Sequence, residues 1–272
     1  MLDIKPPSFV TVRGRKIAYD EVSPSHPKGT ILLLTGLGAK RHGWCKQLAV
    51  FGRHYRTIAL DHRDAGDSDP VKTPYRIPDQ ANDAAAVLRA LGAPKAHVVG
   101  ISMGGFVALE MSLRHTAVVD KLILVSTSGG GLRQAWPSPL TMLRLARRGK
   151  AEVGELTRQI YSHIMAPGFA ERHPEEMERI VALGRYRPMA DDAYYRQLCA
   201  ALLHDVSKRL DEIKVPTLVI HGENDPLVHV KNGINLARRI PGARLVLYPR
   251  TGHIPIIERA EEFNRDVLAF LG

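Results

Sequence analysis

The sequence predicts an α/β protein, a doubly wound, mostly parallel sheet with an inserted helical cap. Three observations lead there. Short, continuous apolar runs such as TILLLT (residues 30–35), AHVVGIS (96–102) and KLILVST (121–127) read as strands buried on both faces. Amphipathic stretches alternate with these runs, as the crossovers of a parallel sheet require. From about Gly129 to Ser207 the alternation stops, the pattern is helical with broken phases, and no buried strand occurs. The expected division is a core of residues 1–129 and 208–272, with residues 130–207 as the cap.

The elements follow in order. FVTVRGRKIAYD (residues 9–20) alternates apolar and polar side chains and breaks at Gly14, the pattern of an antiparallel hairpin. The run 30–35 leads into Gly36-Leu37-Gly38, and YRTIALD (55–61) ends in the polar loop HRDAGDSD (62–69). IPDQANDAAAVLRAL (77–91) is expected to be a helix, with Pro78 in its first turn and Gly92 past its end. The run 96–102 precedes a helix from Met103 to about His115, and the run 121–127 follows. After the helical block come a strand (VPTLVIH, 215–221), a helix (VKNGINLARRI, 230–240), a strand (ARLVLY, 243–248) and one last helix over 255–271.

Composition narrows the function classes. With 272 residues, 44% of them apolar, the chain can bury one sizeable core. No apolar run approaches bilayer length, and MLDIKPPSFV lacks the basic and apolar regions of a signal peptide. Cys45 and Cys199 lie far apart and make no disulfide framework, so a reduced, cytoplasmic protein is expected, with Cys45 as a packed thiol. The net charge of +10 invites a nucleic-acid reading, but the basic residues are dispersed among acidic ones. The densest basic cluster, RLARRGK (144–150), has no zinc-finger or helix-turn-helix signal beside it, and a solvated basic surface is expected instead. The 12 histidines form no helical pair with a nearby carboxylate, and no G-x-G-x-x-G follows a strand, so no metal and no cofactor are expected.

In an open α/β sheet, ligands bind at the carboxyl ends of the strands, and three strand ends carry chemistry here. GISMG (100–104) matches G-x-S-x-G and places Ser102 at a strand-to-helix turn between residues without Cβ atoms. The helix that follows aims its N-terminal N–H groups at the same point, where they favour an oxyanion. HGENDP (221–226) puts Asp225 after the strand VPTLVI, and YPRTGH (248–253) puts His253 after ARLVLY. Alone, Asp225 is an ordinary turn residue and His253 an ordinary surface or capping histidine. Together they run Ser…Asp…His, and the 28 residues from Asp225 to His253 hold one helix and one strand, which brings the two to neighbouring strand ends. A serine hydroxyl needs a base to take its proton, and the base needs an acid to fix its tautomer.

GISMGG, HGENDP, TGH and the loop DHRDAGDSD together resemble the α/β-hydrolase superfamily over nearly the full chain. The resemblance implies that Ser102 is the nucleophile, His253 the general base and acid, and Asp225 its orienting carboxylate. It also implies an oxyanion hole made of the backbone N–H groups of Leu37 and Met103. Thr35 stands where many members carry the His of a His-Gly pair, and Asp64 replaces the first Gly of the D-x-R-G-x-G-x-S segment. That loop is read as a brace for the elbow, without a catalytic role for Asp61 or Asp64. His62, His221 and His229 are given structural or surface roles. A serine nucleophile argues against the dehalogenase and epoxide-hydrolase branches. The chain looks similar to esterases and 3-oxoadipate enol-lactonase-like proteins, which implies hydrolysis of a small to medium apolar ester or lactone. Carbon–carbon bond hydrolases, perhydrolases and iminopeptidases use the same triad, and a ligand receptor keeps the fold without turnover. The positive charge suits an anionic substrate.

Overall fold

Runs of consecutive apolar side chains have two faces to bury. In the computed structural model, which describes residues 6–132, 134–146 and 152–272, these runs form the middle of an eight-stranded sheet. The chain opens with the hairpin β1 (Ser8–Val12) and β2 (Arg15–Val22). It continues through β3 (Thr30–Leu34), α1 (Cys45–Phe51), β4 (Arg56–Leu60), α2 (Ile77–Ala90), β5 (Ala96–Ile101), α3 (Met103–Arg114) and β6 (Val119–Val125). Among the described residues, five α-helices follow before the sheet resumes: α4 (Pro139–Ala146), α5 (Val153–Ile164), α6 (Phe169–Arg172), α7 (Pro174–Arg185) and α8 (Asp191–Leu202). The last elements are β7 (Thr217–Gly222), α9 (Lys231–Arg239), β8 (Arg244–Tyr248), α10 (Pro255–Glu258) and α11 (Ala260–Leu271).

The strand order is β1-β2-β4-β3-β5-β6-β7-β8. β1 and β2 are antiparallel to their neighbours and all later pairings are parallel. Period-2 alternation sorts each strand onto two faces. Leu32, Leu34, Val98, Leu122 and Leu124 face one core with Val107 and Leu109 of α3, while Ile31, Leu33, Val99, Ile123 and Val125 face another with Phe51, Phe263 and Val267. Each such side chain contributes about 1.5–3 kcal/mol on full burial, so both sheet faces are held. From β3 the chain steps one way to β4 and then returns past β3 to β5, which makes the carboxyl ends of β3 and β5 the switch point of the sheet.

The structure departs from the sequence reading in three places. α1 was not foreseen: its N-cap, Trp44, offers no side-chain cap, and Phe51 reaches the core formed with α11. The expected helix over 255–271 is two helices, because Arg259 leaves helical geometry at φ −135 and ψ 42. Cys45 is exposed rather than packed, with the Arg179 guanidinium donating to its Sγ at 2.9 Å. Residues 1–5, 133 and 147–151, which include part of the basic cluster, lie outside the described residues. Among the described residues no helix is long and apolar enough to cross a membrane.

Candidate active site

Ser102 occupies the single residue between β5 and α3, with φ 55 and ψ −123. A side chain with a Cβ is strained in that region by about 1–3 kcal/mol, so the surroundings must hold it there. Its N–H donates to the Val125 carbonyl at 2.9 Å, and the Thr127 hydroxyl and the Gly105 N–H donate to its own carbonyl at 2.8 and 2.9 Å. The glycines allow the approach of backbone to backbone. A Cβ on Gly100 would lie 2.2 Å from the Gly104 carbonyl oxygen, and one on Gly104 would lie 2.3 Å from that of Leu34. The turn therefore presses directly on β3, and the Gly36 backbone passes against the Ser102 side chain.

The acid and the imidazole meet on the loops after β7 and β8. His253 Nδ1 donates to Asp225 Oδ2 at 2.8 Å, which leaves the lone pair on Nε2. The other oxygen of Asp225 accepts the N–H groups of Leu227 and Val228, both at 2.8 Å. Burial alone would raise the Asp225 carboxyl, but the charge of His253 and hydrogen bonds from His221 and His253 outweigh it and bring the pKa down to about 2. His221 thus does more than fill space: its Nε2 donates to the Val228 carbonyl at 2.7 Å and lies 3.4 Å from Asp225 Oδ2. His229 is exposed.

Three groups missing from the sequence reading complete the arrangement. Glu258 accepts the N–H groups of Gly252 and Ile254, which flank His253, at 2.9 and 3.0 Å, and that of Ala166 at 2.8 Å. The His253 N–H donates to the Ile164 carbonyl at 2.8 Å, so the end of α5 is bonded to the loop that carries the imidazole. Gln197 of α8 accepts the Gly38 N–H at 3.0 Å and donates to the Arg63 carbonyl at 3.2 Å. No residue pattern announces these links. They join side chains to backbone groups far away in sequence.

The loop after β4 behaves as a brace. Asp61 accepts the Arg41 N–H at 2.7 Å and its guanidinium at 2.5 Å, and Asp20 and Asp67 take further guanidinium bonds. Burial disfavours the Arg41 charge, but these carboxylates raise its pKa nonetheless. Asp64, at φ 67, pairs with Arg196 of α8 at 3.0 Å. Thr35 donates to the Ala39 carbonyl, and its own carbonyl accepts from His62 Nε2 at 3.2 Å. Burial lowers the His62 pKa to about 4.

Ser102, His253, Leu37 and Met103 all line one cavity of about 310 Å³ between the strand ends and the helices α4, α5, α7 and α8. Asp225 lies behind His253, 5% exposed, and His253 is only 2% exposed. The sequence-derived residues thus converge on one place. A buried, acid-fixed imidazole and a hydroxyl on a strained turn face the same apolar space, an arrangement suited to attack on a polarised carbonyl.

Fold and site together define a hydrolytic enzyme built on an open α/β sheet. The chain matches the family model for the alpha/beta hydrolase fold over residues 29–260 and belongs to that family. It is 32% identical over 252 residues to the 2-hydroxy-6-oxononadienedioate/2-hydroxy-6-oxononatrienedioate hydrolase of Burkholderia vietnamiensis, a match covering 89% of this chain and 86% of that protein. It is 29% identical over 243 residues to 3-oxoadipate enol-lactonase 2 of Acinetobacter baylyi, covering 89% and 88%. The solved enol-lactonase from Burkholderia xenovorans is similar with a TM-score of 0.86 and 27% identity, over 97% of this chain and 99% of that one.

Proposed function

We propose that this hydrolase cleaves a carboxylic ester or lactone of a small to medium apolar substrate through an acyl-enzyme on Ser102. One observation carries the reading: the Ser102 elbow and the Asp225-held imidazole of His253 share an apolar cavity at the switch point of the sheet. Ser102 Oγ attacks the carbonyl carbon while its proton passes to His253 Nε2. The tetrahedral oxyanion takes the N–H groups of Leu37 and Met103, the latter at the N-terminus of α3. The carbon–oxygen bond to the leaving group breaks as Nε2 returns the proton to it. Water then attacks the acyl carbon, gives its proton to Nε2, and the acid departs as Oγ is reprotonated. Asp225, ionised at neutral pH, holds the imidazole in the productive tautomer.

In this reading residues 1–129 and 208–272 are the catalytic core, and residues 130–207 form a cap that closes the cavity and selects the substrate. Resemblance to the Burkholderia vietnamiensis hydrolase supports a second reading, cleavage of a carbon–carbon bond beside a ketone by the same groups. Steady-state hydrolysis of p-nitrophenyl esters from acetyl to decanoyl, beside Ser102→Ala, separates the two. Activity that peaks at one acyl length and disappears in Ser102→Ala is expected. A folded wild type that hydrolyses none of them would reject the ester reading.

A further inference from the structure

The loop that carries His253 has a second cavity on its other side. His253 and Ile254 line the catalytic cavity, whereas Thr251 and Glu258 line a separate cleft of about 530 Å³ that Ala166 and Pro167 border just after α5. Its charges are unevenly matched. Arg172 of α6, Arg250 after β8 and Arg259 before α11 bring three guanidiniums against the one carboxylate of Glu258. Both oxygens of that carboxylate already accept backbone N–H groups, those of Gly252, Ala166 and Ile254. The guanidiniums are held more loosely. Arg172 donates from Nη2 to the neutral Pro167 carbonyl at 3.3 Å, and its Nη1 lies over Gly168, 2.5 Å from where a Cβ would stand. Arg259 reaches the Thr251 hydroxyl and the Pro249 carbonyl at 3.4 Å each and Glu262 at 3.3 Å, all long for an N–H···O bond. Arg250 is exposed, sits at φ 53, and forms no ion pair among the described residues. Beside the cations the His173 ring leans over that of Phe169, with centroids 4.5 Å apart, and both rings line the cleft.

We propose that this cleft is a second binding site, which takes the phosphate group of a small organic molecule between Arg172, Arg250 and Arg259. Planar guanidinium forks match phosphate oxygens two at a time, and such charge-assisted bonds are the strong ones. Three like charges around one cavity repel each other, and a dianion placed among them removes that repulsion. Arg172 and Arg259 are already anchored to neutral groups of their own loops, so little side-chain freedom is lost when they bind. Glu258 opposes an anion, but its single charge is shared over three N–H groups and is outnumbered by the guanidiniums. The rings of Phe169 and His173 offer a flat shelf to the organic body that carries the phosphate. The ligand spans α6 and the loop after β8, and so fastens α6 to the segment that holds His253. The site does not depend on which bond Ser102 cleaves.

The test is calorimetric titration of the wild type with phenyl phosphate and with inorganic phosphate, at constant ionic strength. Two variants are titrated beside it: the double variant Arg172→Gln, Arg250→Gln, and Lys40→Met, which removes the lysine lining the catalytic cavity. Phenyl phosphate is expected to bind the wild type with a Kd below about 1 mM. Inorganic phosphate should bind several-fold more weakly, for want of a body to rest on the rings. The double variant is expected to weaken phenyl phosphate at least tenfold, and Lys40→Met to leave it unchanged. Failure of the wild type to bind either phosphate overturns the proposal. So does affinity undiminished in the double variant, or affinity lost in Lys40→Met, which would place the anion in the catalytic cavity. Equal affinity for the two phosphates overturns the part given to Phe169 and His173. If the double variant does not fold, Arg172→Gln and Arg250→Gln are titrated singly. Each is then expected to weaken binding about threefold or more, and no change in either overturns the site.

Discussion

An alanine at position 100 would set its methyl group 2.2 Å from the Gly104 carbonyl oxygen, backbone against backbone, with nothing flexible to yield. Gly100→Ala is therefore expected to lose about 3 kcal/mol or fail to fold, as overpacking of a tight core does. Gly92→Ala, with nothing within 4 Å and φ 66, should lose only about 1 kcal/mol from backbone strain. Urea midpoints of the two variants check the contrast. Glu258 makes a different test. Alanine there removes the acceptor of three N–H groups around His253, and kcat is expected to fall about tenfold or more, with KM little changed. Glu258→Gln, which keeps one acceptor oxygen, should recover part of the loss. The glycines and Ser102 were legible in the sequence because their requirement is local to one turn. Glu258 was not, because its partners are backbone groups that look alike in any sequence.

At the scale of elements, the strands were legible because both-face burial writes itself as an unbroken apolar run. The helix break at Arg259 was hidden, since Ile256, Ile257 and Phe263 all turn toward one core and the apolar pattern runs on across it. The break returns Glu258 to the backbone of residues 252 and 254, a tertiary demand that periodicity does not record. α8 is tied to the core by side chains as well. Arg196 pairs with Asp64, and Gln197 spans from Gly38 to Arg63. Gln197→Ala frees the Gly38 N–H next to Leu37, so the loop after β3 should lose its fixed position. A fall in kcat of about tenfold, equal to about 1.4 kcal/mol, is expected, with Tm lowered by only a few degrees. Steady-state kinetics beside a thermal melt separates the two effects.

For the molecule as a whole, buried histidines set the response to acid. Burial lowers the pKa of His62 and of His204 to about 4, below the ordinary value of 6.5. The unfolded chain takes up these protons below pH 6.5 and the folded chain does not, so their contribution to stability is complete above pH 6.5. It is lost as the pH falls toward 4, at up to about 1.4 kcal/mol per pH unit for each histidine. Tm is expected to fall steadily from pH 7 to pH 4.5, and His204→Gln should make the decline shallower. A Tm flat across that range would contradict the assignment. Asp225, with its pKa near 2, stays ionised throughout, so this loss does not arise from the acid beside His253.

The end of α5 and the loop carrying His253 are joined at three points. His253 donates to Ile164, Ala166 donates to Glu258, and a Cβ on Gly252 would lie 2.5 Å from the Ala166 nitrogen. Two segments separated by some ninety residues of chain therefore behave as one heritable part. A chimera that imports residues 130–207 from a relative without residues 251–258 would inherit a mismatched socket for its imidazole. Anyone recombining this scaffold for a new substrate should cut around that pair and move both pieces together.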